Sequence, residues 1–495
     1  MKTNNFFFIL PLLGSLFTLT SCTTNPATGK QSFTAFMSRE DEIRIGTEEH
    51  PKLIKAFGGV YKDDKLHNYV KRIGLKLASY ADNTGLTYTF TILNSEKVNA
   101  LALPGGYIYI TRGLLALVDN EAEMAGVLAH EIGHVTARHT AERYSTAKAT
   151  NLGMMMLNVL SSATGVPSGV NRIIGFGAKA ALQSYSRDQE LESDMLGVAY
   201  LVRAGYSPFA MTTFFQKLKS HEKLERIMMG NSNSNSNNIF STHPRTAERI
   251  GKAIKLANNQ KITNPLLRRK EFLREIDGIV YGDDPKQGLR QGREFIHKDL
   301  GIRFEVPPNF TLFNSTSQVV AKGPRNSIIT FELAQKKLRQ RIPSLKNYVI
   351  NNWGRRLSLK KLEKININGL EAITASAQFR GKDYRLIAIR GEKNRIFHLT
   401  FVTVPSMTNQ LNSAFRRATY SFRYISKSEV DDIKPLRIKL IKFSSSDTLI
   451  GIAKKMPFET LQLERLNVLN GLTLGQKPLI GRSLKVVVKT TNKNY

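Results

Sequence analysis

From about residue 38 to 260 the apolar positions recur mainly at helical spacing. The stretch "LHNYVKRIGLKLASYA" carries Val70, Ile73, Leu75 and Leu77 among its apolar positions and predicts an amphipathic helix. The period then drops to two. "LTYTFTILNS" predicts one strand, and "GGYIYITRGLL" a second, after the turn Pro104-Gly105-Gly106. A long helix is expected next, from Ala122 to about Tyr144. Asp119 or Asn120 would cap it, Glu121 and Glu123 suit its positive end, and the absence of proline lets it run unbroken. A Gly/Ser-rich break, "SSATGVPSG", precedes another helix from roughly Lys179 to Ala204, stopped by Gly205 with Pro208 beyond. "NSNSNSNN" (231–238) has nothing to bury and predicts a polar, mobile loop. From about 290 to 426 short alternating segments such as "GIRFEVP", "SIITFELA" and "IFHLTFVTV" predict an antiparallel sheet. A small unit follows, from about Ile438 to Val488. The expected fold class is therefore α+β and multidomain: a mainly helical domain with a small sheet, an antiparallel-sheet α+β domain, and a small third unit.

A chain of 495 residues is too long for one core. The boundaries read from these patterns are 1–21 for a leader, 22–37 for a tether, 38–262 for the helical domain and 263–290 for a linker. The sheet domain takes 291–426 and the final module 436–490. Charge changes this picture only in the back half. The net charge is +32, and it is uneven: 28 basic and 21 acidic groups up to residue 260, then 44 and 19. A basic surface suits anionic lipid, nucleic acid or an acidic polymer, but no nucleic-acid motif accompanies it, and no nucleic-acid partner is expected. "MKTNNFFFILPLLGSLFTLTSC" has a lysine, an apolar run and then small residues, the layout of a secretory signal and too short for a stable span. Cys22 is the only cysteine, so it makes no internal disulfide. Leu19-Thr20-Ser21-Cys22 resembles a bacterial lipobox. That resemblance implies lipidation of Cys22, and Thr23 after it is similar to the outer-membrane sorting pattern. The expected protein is lipid-anchored in the cell envelope, on the periplasmic face of the outer membrane.

The chemistry concentrates in "GVLAHEIGHVTARHT". On a helix, residues four apart share a face, so His130 and His134 can present two imidazoles to one ion, with Glu131 beside them. A hydrolytic zinc site needs a third protein ligand. "SYSRDQELESDMLG" offers Glu190 and Asp194, again four apart. The economical assignment takes Glu190 as ligand and Asp194 as a carboxylate that either orients a ligand histidine or pairs with Arg138 or Arg187. Spacing alone does not choose between Glu190 and Glu192.

"HEIGHVTARH" followed by "YSRDQELESD", with "NPATGKQ", "NALALPGGYIYITRGLL" and "STHPRTAERI", resembles the zinc metallopeptidases that include the CAAX prenyl proteases, HtpX and BepA. The resemblance spans about residues 25–260, and the soluble, lipobox-bearing start is similar to the BepA-like periplasmic lipoprotein branch. It implies one zinc ion per chain on His130, His134 and Glu190, Glu131 as general base, and Asp194 in support. His243 in "THPRTAERI" is expected either to stabilise the oxyanion or to close the fourth metal position at rest. His139 lies off the shared face and is read as structural. An exposed edge at Tyr107 to Thr111, including Tyr107 and Tyr109, would pair with an extended substrate, and Asn99 would bond the same backbone. The last module is similar to a degenerate LysM unit, which implies a strand–helix–helix–strand (βααβ) order and peptidoglycan as a partner. The reading is a zinc endopeptidase acting on unfolded or misassembled envelope proteins. The competing reading is a non-catalytic, wall-associated adaptor or chaperone-like lipoprotein.

Overall fold

A computed structural model describes residues 22–490, apart from 26, 83–84, 150–183, 229–242, 244–246, 261, 316, 335–341, 343 and 474. The leader and the "NSNSNSNN" run lie outside the described residues. The chain opens with a hairpin of β1 (Cys22–Thr24) and β2 (Gln31–Phe33). Helix α1 (Arg39–Ala56) starts at a capping box, in which the Ser38 hydroxyl accepts from the Asp41 amide and the Asp41 carboxylate accepts from the Ser38 amide. Helix α2 (Asp64–Tyr80) buries Leu66, Val70, Ile73 and Leu77. Leu75 is exposed, because two residues along a helix is more than half a turn and carries it away from that stripe.

Three strands follow: β3 (Thr89–Leu93), β4 (Ala100–Leu103) and β5 (Tyr107–Thr111). Gly105 and Gly106, both at positive φ, let β4 fold straight back onto β5, while β3 joins β5 in parallel from the other side. The order is β3-β5-β4. The strand expected to be an exposed edge is therefore the centre of the sheet. Its backbone is paired on both sides and has none to offer a substrate. The edges are β3 and β4, and β4 packs on the helix that carries the two histidines.

After the short α3 (Arg112–Leu117) comes α4 (Glu121–Thr136), buried along its whole length. Asn120 caps it by accepting from the Glu123 amide at 2.9 Å. Glu121 accepts from the hydroxyls of Tyr69 and Tyr206, each at 2.6 Å. The expected run to Tyr144 is interrupted. Arg138 takes a left-handed conformation (φ 57°), and a separate helix α5 (His139–Ala149) begins. The reason is tertiary: Arg138 is drawn out to Glu42, to the Thr34 hydroxyl and to the Met37 carbonyl. Helix α6 (Arg187–Arg203) lies against α4, followed by α7 (Ala210–Met228) and α8 (Ala247–Asn258).

Residues 263–290 hold α9 (Arg269–Ile276) and β6 (Val280–Tyr281). Strands between Thr311 and Thr403 form the expected antiparallel sheet, seven strands wide, and a second sheet of four strands stands beside it. Phe295, Phe304, Phe331, Phe397, Phe401 and Phe422 fill the core there. The final unit runs strand–helix–helix–strand: β7 (Leu436–Lys442), α10 (Leu449–Lys454), α11 (Gln462–Asn470) and β8 (Ser483–Lys489), with β7 and β8 antiparallel. Strand β6 adds to its sheet by pairing with β7.

This last unit shares the core of the helical domain. Ile438, Phe443, Leu466, Leu484 and Val486 belong to the same apolar cluster as Leu115, Leu117, Phe214 and Phe272. A buried lysine fixes the contact. The Lys485 ammonium donates to the carbonyls of Ala116, Leu117 and Val118 at 2.9, 2.9 and 2.7 Å, and lies 3.2 Å from Asp119. These carbonyls are the unsatisfied end of α3, where a cation is favoured. Asp119 also meets Lys217 of α7 at 2.5 Å. Burial pushes the Asp119 carboxyl up, but Lys217 and Lys485 pull harder and hold it at about 2. A carboxyl depressed in this way contributes stability above about pH 4, and that contribution is lost as the pH falls towards 2. Lys485→Met should cost about 1–3 kcal/mol in urea unfolding at pH 7, since it leaves the buried carbonyls at the end of α3 without their donor while Asp119 keeps Lys217. The stability gap between wild type and Asp119→Asn should close between about pH 4 and pH 2 in the same measurement.

Candidate metal centre

Two helices build the centre, and their separation sets its geometry. Where α4 meets α6 the facing positions are Gly133 and Gly197. A Cβ on Gly133 would lie 2.8 Å from the Ser193 hydroxyl, and one on Gly197 3.2 Å from the His130 amide nitrogen. The Ser193 hydroxyl donates to the His130 carbonyl at 2.5 Å and ties the helices together. At this distance His130 and His134, one turn apart on α4, face Glu190 in the first turn of α6.

The functional atoms converge. His130 Nε2 lies 3.0 Å from His134 Nε2 and 3.2 Å from His243 Nδ1. Glu190 Oε1 lies 3.4 Å from His134 Nε2 and 2.9 Å from His243 Nδ1. His130, His134, Glu190 and His243 each offer one ligand atom, and these atoms lie within 4.8 Å of one another. All four side chains are buried. Burial, with the other histidines and Arg143 adding to it, pulls His134 far below its ordinary value, so it is the neutral imidazole a metal requires. Burial pushes Glu190 up, but His243 and Arg249 outweigh it and leave a carboxylate. Bare ring nitrogens this close, beside a carboxylate, repel one another unless a cation lies among them. The set of nitrogen and oxygen ligands fits zinc.

Each helical histidine is held from behind. His130 Nδ1 lies 2.9 Å from Asp194 Oδ1, the arrangement that fixes a ligand imidazole's orientation and tautomer. Asp194 is gripped by Arg249 of α8, whose Nε and Nη2 donate at 2.7 and 2.8 Å. Arg249 Nη1 also contacts Glu190. Of the two alternatives for Asp194, orienting a ligand histidine is the one seen, and Arg138 instead serves α1 and the segment before it. Arg249 stands in the quoted "STHPRTAERI", yet nothing in its spacing links it to a carboxylate 55 residues earlier. His139 is also more than a bystander. The break at Arg138 turns its ring so that Nδ1 lies 2.8 Å from His134 Nδ1. Tyr185 stacks on His134, with ring centroids 3.5 Å apart, and Arg143 covers Tyr185.

Glu131 is fully buried, and among the described residues neither of its carboxylate oxygens has a hydrogen-bond partner. His243 Nε2 is 3.4 Å away. Burial raises its carboxyl above the ordinary range, which suits a proton acceptor. Tyr107 and Tyr109 point at α1 instead of the centre: their hydroxyls lie 3.1 Å from Thr47 Oγ1 and 2.7 Å from His50 Nδ1. Asn99 is buried at the start of β4, its Oδ1 without a hydrogen-bond partner among the described residues.

H-E-x-x-H on one buried helix, closed by a glutamate from a second, defines the metal centre of a zinc metallopeptidase. Residues 64–257 match the model of peptidase family M48. It is 30% identical over 246 residues to the beta-barrel assembly-enhancing protease of Yersinia pestis, covering 48% of each chain. Against the protein of the same name in Escherichia coli K12 it is 28% identical over 232 residues, 46% of this chain and 45% of that one. It is 26% identical over 220 residues to the mitochondrial metalloendopeptidase OMA1 of Schizosaccharomyces pombe, 44% of this chain and 61% of that one. The chain thus spans about half the length of the first two. Asp194→Asn should weaken zinc binding about ten- to a hundred-fold with the fold intact, measured by chelator competition beside circular dichroism.

Proposed function

We propose that the chain is a zinc endopeptidase, and that Glu131 carries the proton transfers of peptide hydrolysis. The single observation behind this is the placement of Glu131: buried, without a hydrogen-bond partner among the described residues, one residue from a metal ligand and 3.4 Å from His243. Bound by His130, His134 and Glu190, zinc would supply a Lewis acid that acidifies water and polarises the scissile carbonyl. Glu131 takes the proton of the attacking water and returns it to the leaving nitrogen. The buried, apolar walls exclude bulk water and strengthen both interactions.

His243 stands beside the other three side chains and would be a fourth ligand at rest, leaving an open position only when it turns away. The substrate backbone then lies along the free edge of β4, where the Asn99 side-chain carbonyl accepts from a substrate amide. An apolar cavity opens beside Glu131, walled by Val127, Met211, Phe214, Phe215 and Leu218. It suits a bulky apolar residue next to the scissile bond, the kind exposed by unfolded or misassembled proteins. Envelope proteins are the proposed substrates, supported by the lipobox-like Cys22 and by the names of the bacterial relatives. Among the described residues no helix is long and apolar enough to cross a membrane, so attachment to the outer membrane would rest on a lipid at Cys22. The strand–helix–helix–strand order of 436–489 supports a LysM-like reading with peptidoglycan as its ligand.

Casein digestion with purified protein tests this reading. Glu131→Gln should keep stoichiometric zinc and lose about 10²–10⁴-fold in rate, and wild-type fragments should begin or end at Leu, Phe or Met. Equal rates for the two proteins would return the chain to the adaptor reading. His243→Ala should raise the rate if His243 blocks the site at rest; a fall of tenfold or more would make it an oxyanion partner instead.

A further inference from the structure

A hydrogen-bonded chain leaves the metal centre behind His134 and ends in the N-terminal segment. His134 Nδ1 lies 2.8 Å from His139 Nδ1, and His139 Nε2 lies 3.4 Å from Glu192 Oε2. Glu192 Oε1 accepts from the Thr28 hydroxyl at 2.6 Å and from the Asn25 amide at 3.2 Å. The Lys30 ammonium lies 3.4 Å from Oε2. The proton positions follow from valence. A carboxylate only accepts, so His139 donates through Nε2–H and its Nδ1 is bare. His134 must then donate through Nδ1–H, which leaves its Nε2 lone pair facing His130, Glu190 and His243. That is the tautomer a metal ligand needs.

The far end of the chain is built to present these groups. Gly29 and Asn25 close a tight turn, with the Gly29 amide donating to the Asn25 carbonyl at 2.8 Å and the Asn25 amide to the Lys30 carbonyl at 2.8 Å. The β1–β2 hairpin brackets that turn. Farther along, the Phe36 amide donates to the Ser145 hydroxyl of α5, the helix that begins with His139.

We propose that Asn25, Thr28 and Lys30 are positioning residues of the metal centre, acting through Glu192 and His139 to hold His134 in its ligating tautomer. The segment just after Cys22 is then a working part of the site as well as a tether. Displacing it, for instance by a pull on an anchored N-terminus, loosens the metal. The proposal rests on zinc being held by His130, His134 and Glu190.

The test is zinc affinity of the full chain by chelator competition, together with the visible absorption spectrum of the cobalt(II)-substituted protein. His139→Phe should weaken zinc about ten- to a hundred-fold and shift the cobalt bands. Thr28→Val should weaken it about three- to tenfold in the wild-type background and not at all in the His139→Phe background, because the path is already cut. If His139→Phe fails to fold by circular dichroism, Glu192→Gln takes its place in the cycle. Thr28→Val binding zinc as tightly as wild type, or losing the same factor in both backgrounds, overturns the proposal. A wild type that takes up no stoichiometric zinc would overturn the metal reading itself, and so is told apart from these results.

Discussion

The approach of α4 to α6 is the constraint on which the peptidase domain depends. Two imidazoles on one helix can converge with a carboxylate on another only if the helix axes come close, and Gly133 and Gly197 permit that by carrying no side chain at the contact. The same closeness makes the cluster costly when empty, since bare nitrogens and a carboxylate are buried together away from water. The surrounding structure answers with charge and shape. Arg249 neutralises Asp194 and Glu190, and Asp194 orients His130. The Ser193 hydroxyl fixes the register of the two helices.

The rest of the molecule is organised around keeping α4 in place. Its N-terminus is held by Asn120 and by two tyrosine hydroxyls on Glu121, and the preceding turn is clamped where Lys485 caps α3 and meets Asp119. The clamp comes from the last strand of the chain, so the small C-terminal unit is part of the helical domain's core and does not hang from a linker. Helix α7 ties the two regions together. One of its faces carries Lys217 to Asp119, and another lines the apolar cavity beside Glu131. Support for the apolar cavity and support for the C-terminal unit therefore meet on one helix.

Much of the centre was legible from residue order. H-E-x-x-H and the pair Glu190–Asp194 obey the 3.6-residue period, a local rule, and the structure places each of them where that period predicts. The antiparallel sheet before the last unit was legible from alternation of period two, and the strand–helix–helix–strand order of that unit only from its likeness to a LysM module. What could not be read is pairing between distant segments. Asp194 takes Arg249 and not Arg138, although Arg138 is the nearer in sequence to the ligand histidines. Tyr107 to Thr111 reads as a strand, but whether a strand is central or peripheral depends on who pairs with it. His139 is off the ligand face of an ideal helix, and it reaches His134 only because the helix breaks at Arg138.

By itself, then, the amino-acid order determined which side chains share a helical face and which segments alternate, because those relations are set within a few residues by backbone geometry. Only the tertiary structure decided that Glu190 faces the histidines while Glu192 turns to the N-terminal segment, that β5 is central and β4 an edge, and that Lys485 closes on α3. Those choices depend on how closely helices approach and which buried charges find partners. They are settled by packing across the whole domain, where one arrangement satisfies groups that no local rule can pair.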